Sequence, residues 1–99
     1  MLTLDFSFAA PLWKWRGGNW FFLTLPPETA ADIRAFARAN ASALGTVHVV
    51  ARVGKTEWQT SLFPSNEHSS FLLPVKAAVR RAEELEAGAE VAVALEVFV

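Results

Sequence analysis

The chain has 99 residues, enough for one domain with a single core and no need of metals or disulfides. Hydrophobic residues reach 53% and charged residues only 19%, which argues against a disordered chain. Nine Lys and Arg against ten Asp and Glu leave a net charge of -1, so there is no general attraction to nucleic acid or anionic lipid; the lack of Cys removes disulfides, thiol catalysis and thiolate metal sites.

Leu2, Leu4, Phe6 and Phe8 alternate with Thr3, Asp5 and Ser7, the period-two pattern of a half-buried strand. This stretch does not read as a secretion signal, because Asp5 stands where a positive n-region belongs. The longest uncharged apolar runs fall short of the ~20 residues that span a bilayer. The expected location is cytoplasmic. Pro11 breaks the alternation and predicts a bulge or bend at a sheet edge. Trp13 and Trp15 then lead into Arg16-Gly17-Gly18-Asn19, a strong turn signal, and Trp20 to Leu25 resumes as the second strand of an antiparallel hairpin.

Pro26-Pro27 stops that strand, since proline cannot donate to the ladder. A helix follows, with Thr29 and Asp32 placed as a capping box. Ile33, Phe36 and Ala37 fall on one face and Arg34 and Arg38 on another. The helix is expected to fade between Asn40 and Ala43, and Gly45 supplies the turn.

The next hairpin is the clearest. Val47, Val49, Ala51 and Val53 face one side, with Gly54-Lys55 as a two-residue turn. On the return strand Trp58, Thr60 and Leu62 share a face, with Glu57, Gln59, Ser61 and Phe63 opposite. Pairing about this turn sets Val53 against Thr56, Ala51 against Trp58 and His48 against Ser61. A one-residue slip would send Trp58 and Leu62 to the wrong face, so the register is firm.

Pro64 to Glu67 reads as a loop and Ser70 to Leu73 as a short strand. Pro74 suits the start of a second helix, with Val75, Val79 and Ala82 as its apolar stripe and Lys76 and Arg80 on another side. Glu83 and Glu84 are placed to neutralise the cations. Gly88 ends the helix. Val91, Val93, Leu95, Val97 and Val99 alternate with Ala92, Ala94, Glu96 and Phe98, which predicts a central strand covered on both faces. About seven strands and two short helices predict a mainly β (α+β) fold: a single small closed or nearly closed barrel over residues 1–99, because closure removes apolar edges.

The stretches WQTSLFP and LPVKAAVRRAEEL, followed by Gly88 and EVAVALEV, resemble the small bacterial family known only as a domain of unknown function, number nineteen-oh-five. Trp20-Phe21-Phe22, Leu25-Pro26-Pro27-Glu28 and Gly45 before a Val-rich strand fit the same family, so the likeness covers roughly Leu4 to Val97. The resemblance implies a closed β-barrel with two helices, sometimes fused to a bacteriocin-resistance, OmpD-associated type segment. It implies no activity, cofactor or catalytic residue. The chain departs from the family at Gly88-Ala89-Glu90, where a Gly-Asp pair usually precedes the last strand. A looser pattern, a strand ending in Leu-Pro, a basic helix, a Gly turn and a Val-rich strand, is shared with swapped-hairpin transcription factors and double-psi barrels and carries no function by itself.

Candidate chemistry is sparse. His48 and His68 are the only imidazoles, without HxH or HxxxH spacing, so neither a metal nor a cofactor is expected. His48 and Ser61 share a face with Cβ atoms ~5 Å apart, which reads first as a cross-strand polar pair, with a nucleophile and base as the alternative. Trp58 opposite Ala51 reads as core filling, with ligand contact as the alternative. Lys76 and Arg80, beside Arg81, form the one local cationic cluster on a helix: either a solvated face or, with Trp58 and Ser61, an anion site. For Lys76 the internal alternatives are Glu67 and, by preference, Glu96. Trp13 and Trp15 lie out of phase with Phe6 and Phe8, and at least one of them is expected on a partner or self-association surface.

These readings converge on a non-catalytic module for a small anionic ligand or a protein partner, with self-association through Trp13 and Trp15, no membrane and no nucleic acid. The alternatives are an enzyme using His48 and Ser61 with Lys76 or Arg80 as anion-stabilising groups, and a DNA-binding protein using the second helix.

Overall fold

The alternation that opens the sequence yields one uninterrupted strand, β1 (Thr3–Lys14), which pairs with two different partners along its length. The structure is a computed structural model and describes residues 3–37 and 45–98. After β1 come β2 (Phe21–Thr24), helix α1 (Pro27–Ala37), β3 (Val47–Val53), β4 (Thr56–Ser65), β5 (Ser70–Pro74), helix α2 (Ala77–Ala82) and β6 (Glu90–Phe98). The strands close into an antiparallel barrel in the order β1-β2-β5-β4-β3-β6.

Two long strands join two unequal halves. β1 pairs with β6 from Thr3 to Pro11 and with β2 from Leu12 to Lys14. β4 pairs with β3 from Thr56 to Leu62 and with β5 from Phe63 to Ser65. The larger half therefore holds β3 and β6, the smaller half β2 and β5, and β1 and β4 run through both. Inward-facing Leu12, Leu23, Leu62, Leu73, Val49 and Val97 are fully buried between the halves, so the barrel interior is a packed core. Ser70, a buried polar residue, donates its hydroxyl to the Leu25 carbonyl at 2.8 Å, and the Leu25 N–H bonds to Phe71 O at 3.0 Å. Those two bonds fasten the end of β2 to β5.

Among the described residues there are six strands where the sequence predicts about seven. The difference lies at Pro11. Instead of dividing the first strand at an edge, Pro11 sits at its last pair with β6, opposite Glu90, just before β1 passes to β2. A residue without an N–H is tolerated at that exchange. β4 continues through Pro64 to Ser65, which shortens the expected loop to residues 66–69, with Ser69 at φ 49°.

The helices also start elsewhere than their local signals indicate. α1 begins at Pro27, whose fixed φ suits a first helical position, so Thr29 lies inside the helix and no capping box forms around it. Ala30 and Ile33 are its buried contacts. Pro74 closes β5 opposite Phe22, and α2 starts only at Ala77 with Lys76 as its N-cap. α2 ends at Ala82, well before Gly88, with Glu84 at φ 53°; Ala82 is exposed and Val79 is the buried residue of the helix. Gly88, at φ 93°, serves the turn into β6 and donates to Leu12 O at 2.7 Å. β6 is central between β1 and β3, yet Ala92 and Glu96 are exposed, so one face is covered and not both. The expected end of α1 between Asn40 and Ala43 lies outside the described residues, as do Leu2, the Ala37 side chain, Arg38 and Val99.

The predicted hairpin register holds: Val53 pairs with Thr56, Ala51 with Trp58 and His48 with Ser61. Its turn is held from outside. The Glu83 carboxylate accepts bonds from the Lys55 N–H (3.3 Å) and from the Thr56 hydroxyl (2.6 Å), in place of the expected pairing with cations on its own helix. Gly54 has φ 58°, and a Cβ there would collide with the Glu83 carboxylate.

Gly54→Ala is therefore expected to lose about 1–2 kcal/mol through the left-handed backbone and more through the collision. Glu83→Ala alone forfeits two hydrogen bonds, about 1–3 kcal/mol together. In urea melts the double variant should lose less than the sum of the singles, since removing Glu83 relieves the collision. Additive losses would place the cost in the backbone alone.

Candidate functional site

The side chains that point outward divide sharply by half. On the larger half, Asp5, Ser7, Ala92, Glu96, His48, Arg52, Glu57 and Gln59 face out with half-buried Val50 and Phe98 among them, a mostly polar or small surface. On the smaller half, strand parity turns Trp13, Phe22, Leu72 and Phe63 outward, flanked by Trp15 and Trp20 from the β1–β2 turn. Trp20 is 57% exposed, Trp15 50% and Phe63 43%. Isolated exposed apolar residues are ordinary, but a contiguous cluster of this kind marks interaction surfaces.

The rings form a connected row. Trp13 lies 5.2 Å from His68 on one side and 5.2 Å from Phe22 on the other, and Phe22 stacks 6.2 Å from Trp20 at an interplanar angle of 6°. Trp13 is held in place by donating its indole N–H to Thr24 Oγ1 at 2.9 Å, while the Trp15 indole lies against Gly17, where a Cβ would press on it at 3.0 Å. His68 Nδ1 meets Ser65 Oγ at 3.0 Å. Together these residues, with Lys14, Arg16 and Glu67 at the rim, line an open groove of about 500 Å³. Its apolar floor and few polar groups suit small-molecule or protein recognition.

A second groove, about 550 Å³, shares Trp20 and Phe63 with the first. It lies at the seam where β4 and β5 part company: Trp58, Gln59 and Thr60 line one wall, and Pro74, Val75, Lys76, Ala77 and Arg80 the other. Arg80 lies 3.8 Å over the Phe21 ring centroid and donates from Nε to the Val75 carbonyl at 3.2 Å. Lys76 is exposed at the mouth.

Of the residues singled out in the sequence, Trp58, Lys76 and Arg80 meet in this seam, while Ser61 does not line it. Trp58 is only 7% exposed and packs opposite Ala51, so it fills the core and reaches the seam at once. Ser61 Oγ lies 3.3 Å from His48 Nδ1, on the outer face as the register requires; the same nitrogen is 3.5 Å from the Thr60 carbonyl. Glu96 is not the partner of Lys76: it points outward from β6, between Asp5 and Val50, beside Arg52 and Glu57. Glu67 lines the aromatic groove. Among the described residues no group of three or more His, Asp or Glu is placed to hold a metal, and no helix is long and apolar enough to cross a membrane.

Sequence reasoning found Trp13 and Trp15 but passed over Trp20, Phe22, Leu72 and His68 as members of the same surface. The signal was available for Phe22, which shares the parity of Trp20 and opposes buried Leu23. For Leu72 and His68 no local signal exists, because their place depends on the pairing of β5 between β2 and β4.

The chain matches the family described as Domain of unknown function (DUF1905) over residues 8–95. No curated protein matches it significantly.

The Arg80 stack is a measurable anchor of the seam. Arg80→Lys keeps the charge but loses the planar contact with Phe21 and the fixed Nε donor. It is expected to lower stability by about 1–2 kcal/mol in urea, and Arg80→Ala by somewhat more through lost packing of the stem. A neutral Arg80→Lys change would mean that the stack contributes nothing.

Proposed function

The chain belongs to the DUF1905 family, and we propose that it acts as a non-catalytic binding module whose recognition surface is the aromatic outer face of the smaller half-barrel. The observation that carries this is the contrast between the two halves: the larger has a mostly polar outer face and Leu4 as its one exposed large hydrophobic among the described residues, while the smaller exposes Trp15, Trp20 and Phe63 around a groove. Leaving such rings in water forgoes burial worth about 1.5–3 kcal/mol for each large side chain, and a partner or ligand recovers it. Because the interior is filled by Leu and Val, the outside of the barrel is where a ligand can sit. A small ligand or a protein partner suits this face, and a second copy of the chain is one such partner. Trp15, free of the tether that holds Trp13, is then the contact that self-association uses. A cytoplasmic location belongs to the same proposal and rests on the sequence reading alone.

An enzyme using Ser61 and His48 is the second reading, favoured by their 3.3 Å contact. Against it stand the exposure of His48, the separate placing of Ser61 from the Lys76 and Arg80 groove, and the engagement of Arg80 with Phe21. A cross-strand hydrogen bond accounts for the pair. DNA binding through α2 is weaker still: the helix has six residues and one of its three basic neighbours is stacked inward.

The test uses the four Trp indole N–H signals as reporters in an NMR screen of aromatic fragments. Hits are expected to shift Trp13, Trp15 and Trp20 together and to be lost in Trp20→Ala. Shifts confined to the His48 and Ser61 amides would favour the enzyme instead. Sedimentation at rising concentration, with Trp15→Ala as the control, reads self-association separately: a dimer abolished by Trp15→Ala places the second copy on this face.

A further inference from the structure

We infer that the seam between β4 and α2 is a site for strand addition, taking an extended acidic peptide segment along the open edge of β4. The inference rests on the binding-module reading and names a second part of its surface. β4 is paired to β3 through Leu62, but its pairing to β5 starts only at Phe63. From Thr56 to Leu62 it therefore has no strand partner on the β5 side among the described residues. A β-strand presents the N–H and C=O of alternate residues to each side, so this edge carries main-chain donors and acceptors toward the seam. At its start the edge is already capped, because Glu83 accepts from the Lys55 N–H and the Thr56 hydroxyl. Within what remains open, residues 57–62, it is Trp58, Gln59 and Thr60 that line the groove.

β5 cannot close this gap. It ends at Pro74, which lacks an N–H, and Val75 instead donates to the Phe21 carbonyl at 2.9 Å on the far side. The chain then turns into α2, leaving a groove with a strand edge on one wall and a helix on the other. That arrangement is the one used by domains that bind peptides by adding a strand: main-chain pairing supplies affinity and the flanking wall supplies selectivity. The selectivity here is set by charge. Among the described residues, Lys76 and Arg80 are the only ionisable groups lining the groove, and neither is acidic. Arg80 is fixed over Phe21, whereas Lys76 is exposed at the mouth and free to meet a carboxylate. The apolar floor of Trp58, Phe21 and Val75 accepts alternate apolar side chains of the added strand.

The test titrates the full chain with acetyl-Glu-Val-Glu-Val-Glu-Val-amide by NMR. Amide shifts are expected from Glu57 to Leu62 and at Lys76, with Trp58 Nε1–H following. The matching Lys-Val peptide should bind at least tenfold more weakly, and Lys76→Glu should weaken the acidic peptide by a similar factor. Two further versions of the acidic peptide carry N-methyl groups on every Glu or on every Val. One of them should lose at least tenfold in affinity, since one set of N–H groups faces β4. Equal binding by both N-methylated peptides, or equal shifts from benzoate alone, would overturn strand addition in favour of a plain anion contact. No peptide shift at millimolar concentration, with aromatic fragments still mapping to Trp13, Trp15 and Trp20, would overturn this inference and leave the binding-module reading standing.

Discussion

The barrel closes because β1 and β4 are each long enough to serve two sheets. The smaller half could not stand alone: β2 has four residues and β5 five, lengths at which a two-stranded ribbon is marginal in water. Pairing each to one end of a longer strand, and placing Leu23 and Leu73 against Leu12 and Leu62 in one core, gives them the burial that their own length cannot. The cost of this economy falls at the seam. Where β4 changes partners its edge is left open for several residues, and α2, Arg80 and Glu83 are what stand beside it.

The same change of partner coincides with a change of surface chemistry. Outward residues on β1 run Thr3, Asp5, Ser7 and then, past Pro11, Trp13; on β4 they run Glu57, Gln59, Ser61 and then Phe63. Parity is unbroken along each strand, so these are single faces that turn from polar to aromatic where the strand enters the smaller half. Two strands far apart in the chain make the same switch at the same structural boundary. Core packing does not account for it, because these rings are outside the core that Leu12, Leu23, Leu62 and Leu73 already fill.

Period-two alternation made the β3–β4 hairpin readable to the residue, including the contact of His48 with Ser61, because a slip would have buried polar groups and exposed Trp58. Closure was readable from the number of apolar strands. The proline signals misled at three places for one reason. By its local effect proline marks a break at Pro11, a loop at Pro64 and a helix start near Pro74, while each lies within a strand that tertiary pairing holds in place. The role of Glu83 is hidden likewise: helical spacing offers Arg80 as its partner, but the β3–β4 hairpin brings the Lys55 N–H and the Thr56 hydroxyl to its carboxylate. The grooves were the least legible part, since each is assembled from residues of β1, β2, β4 and β5 whose adjacency is set by the closure.

Trp20 and Phe63 belong to both grooves, and that shared wall decides how the two should be regarded. Were they separate, the aromatic face and the cationic seam would be two surface features in need of two explanations. Joined through two exposed rings, they make one surface with apolar contact at one end and fixed charge with open backbone groups at the other. Apolar contact is non-directional and supplies most of the binding free energy, whereas main-chain pairing and a placed cation supply orientation. A barrel of this size has too little interior to hold a ligand once its core is packed. A recognition surface across the outside of the smaller half, as proposed, with the open seam at its margin, would leave the core intact.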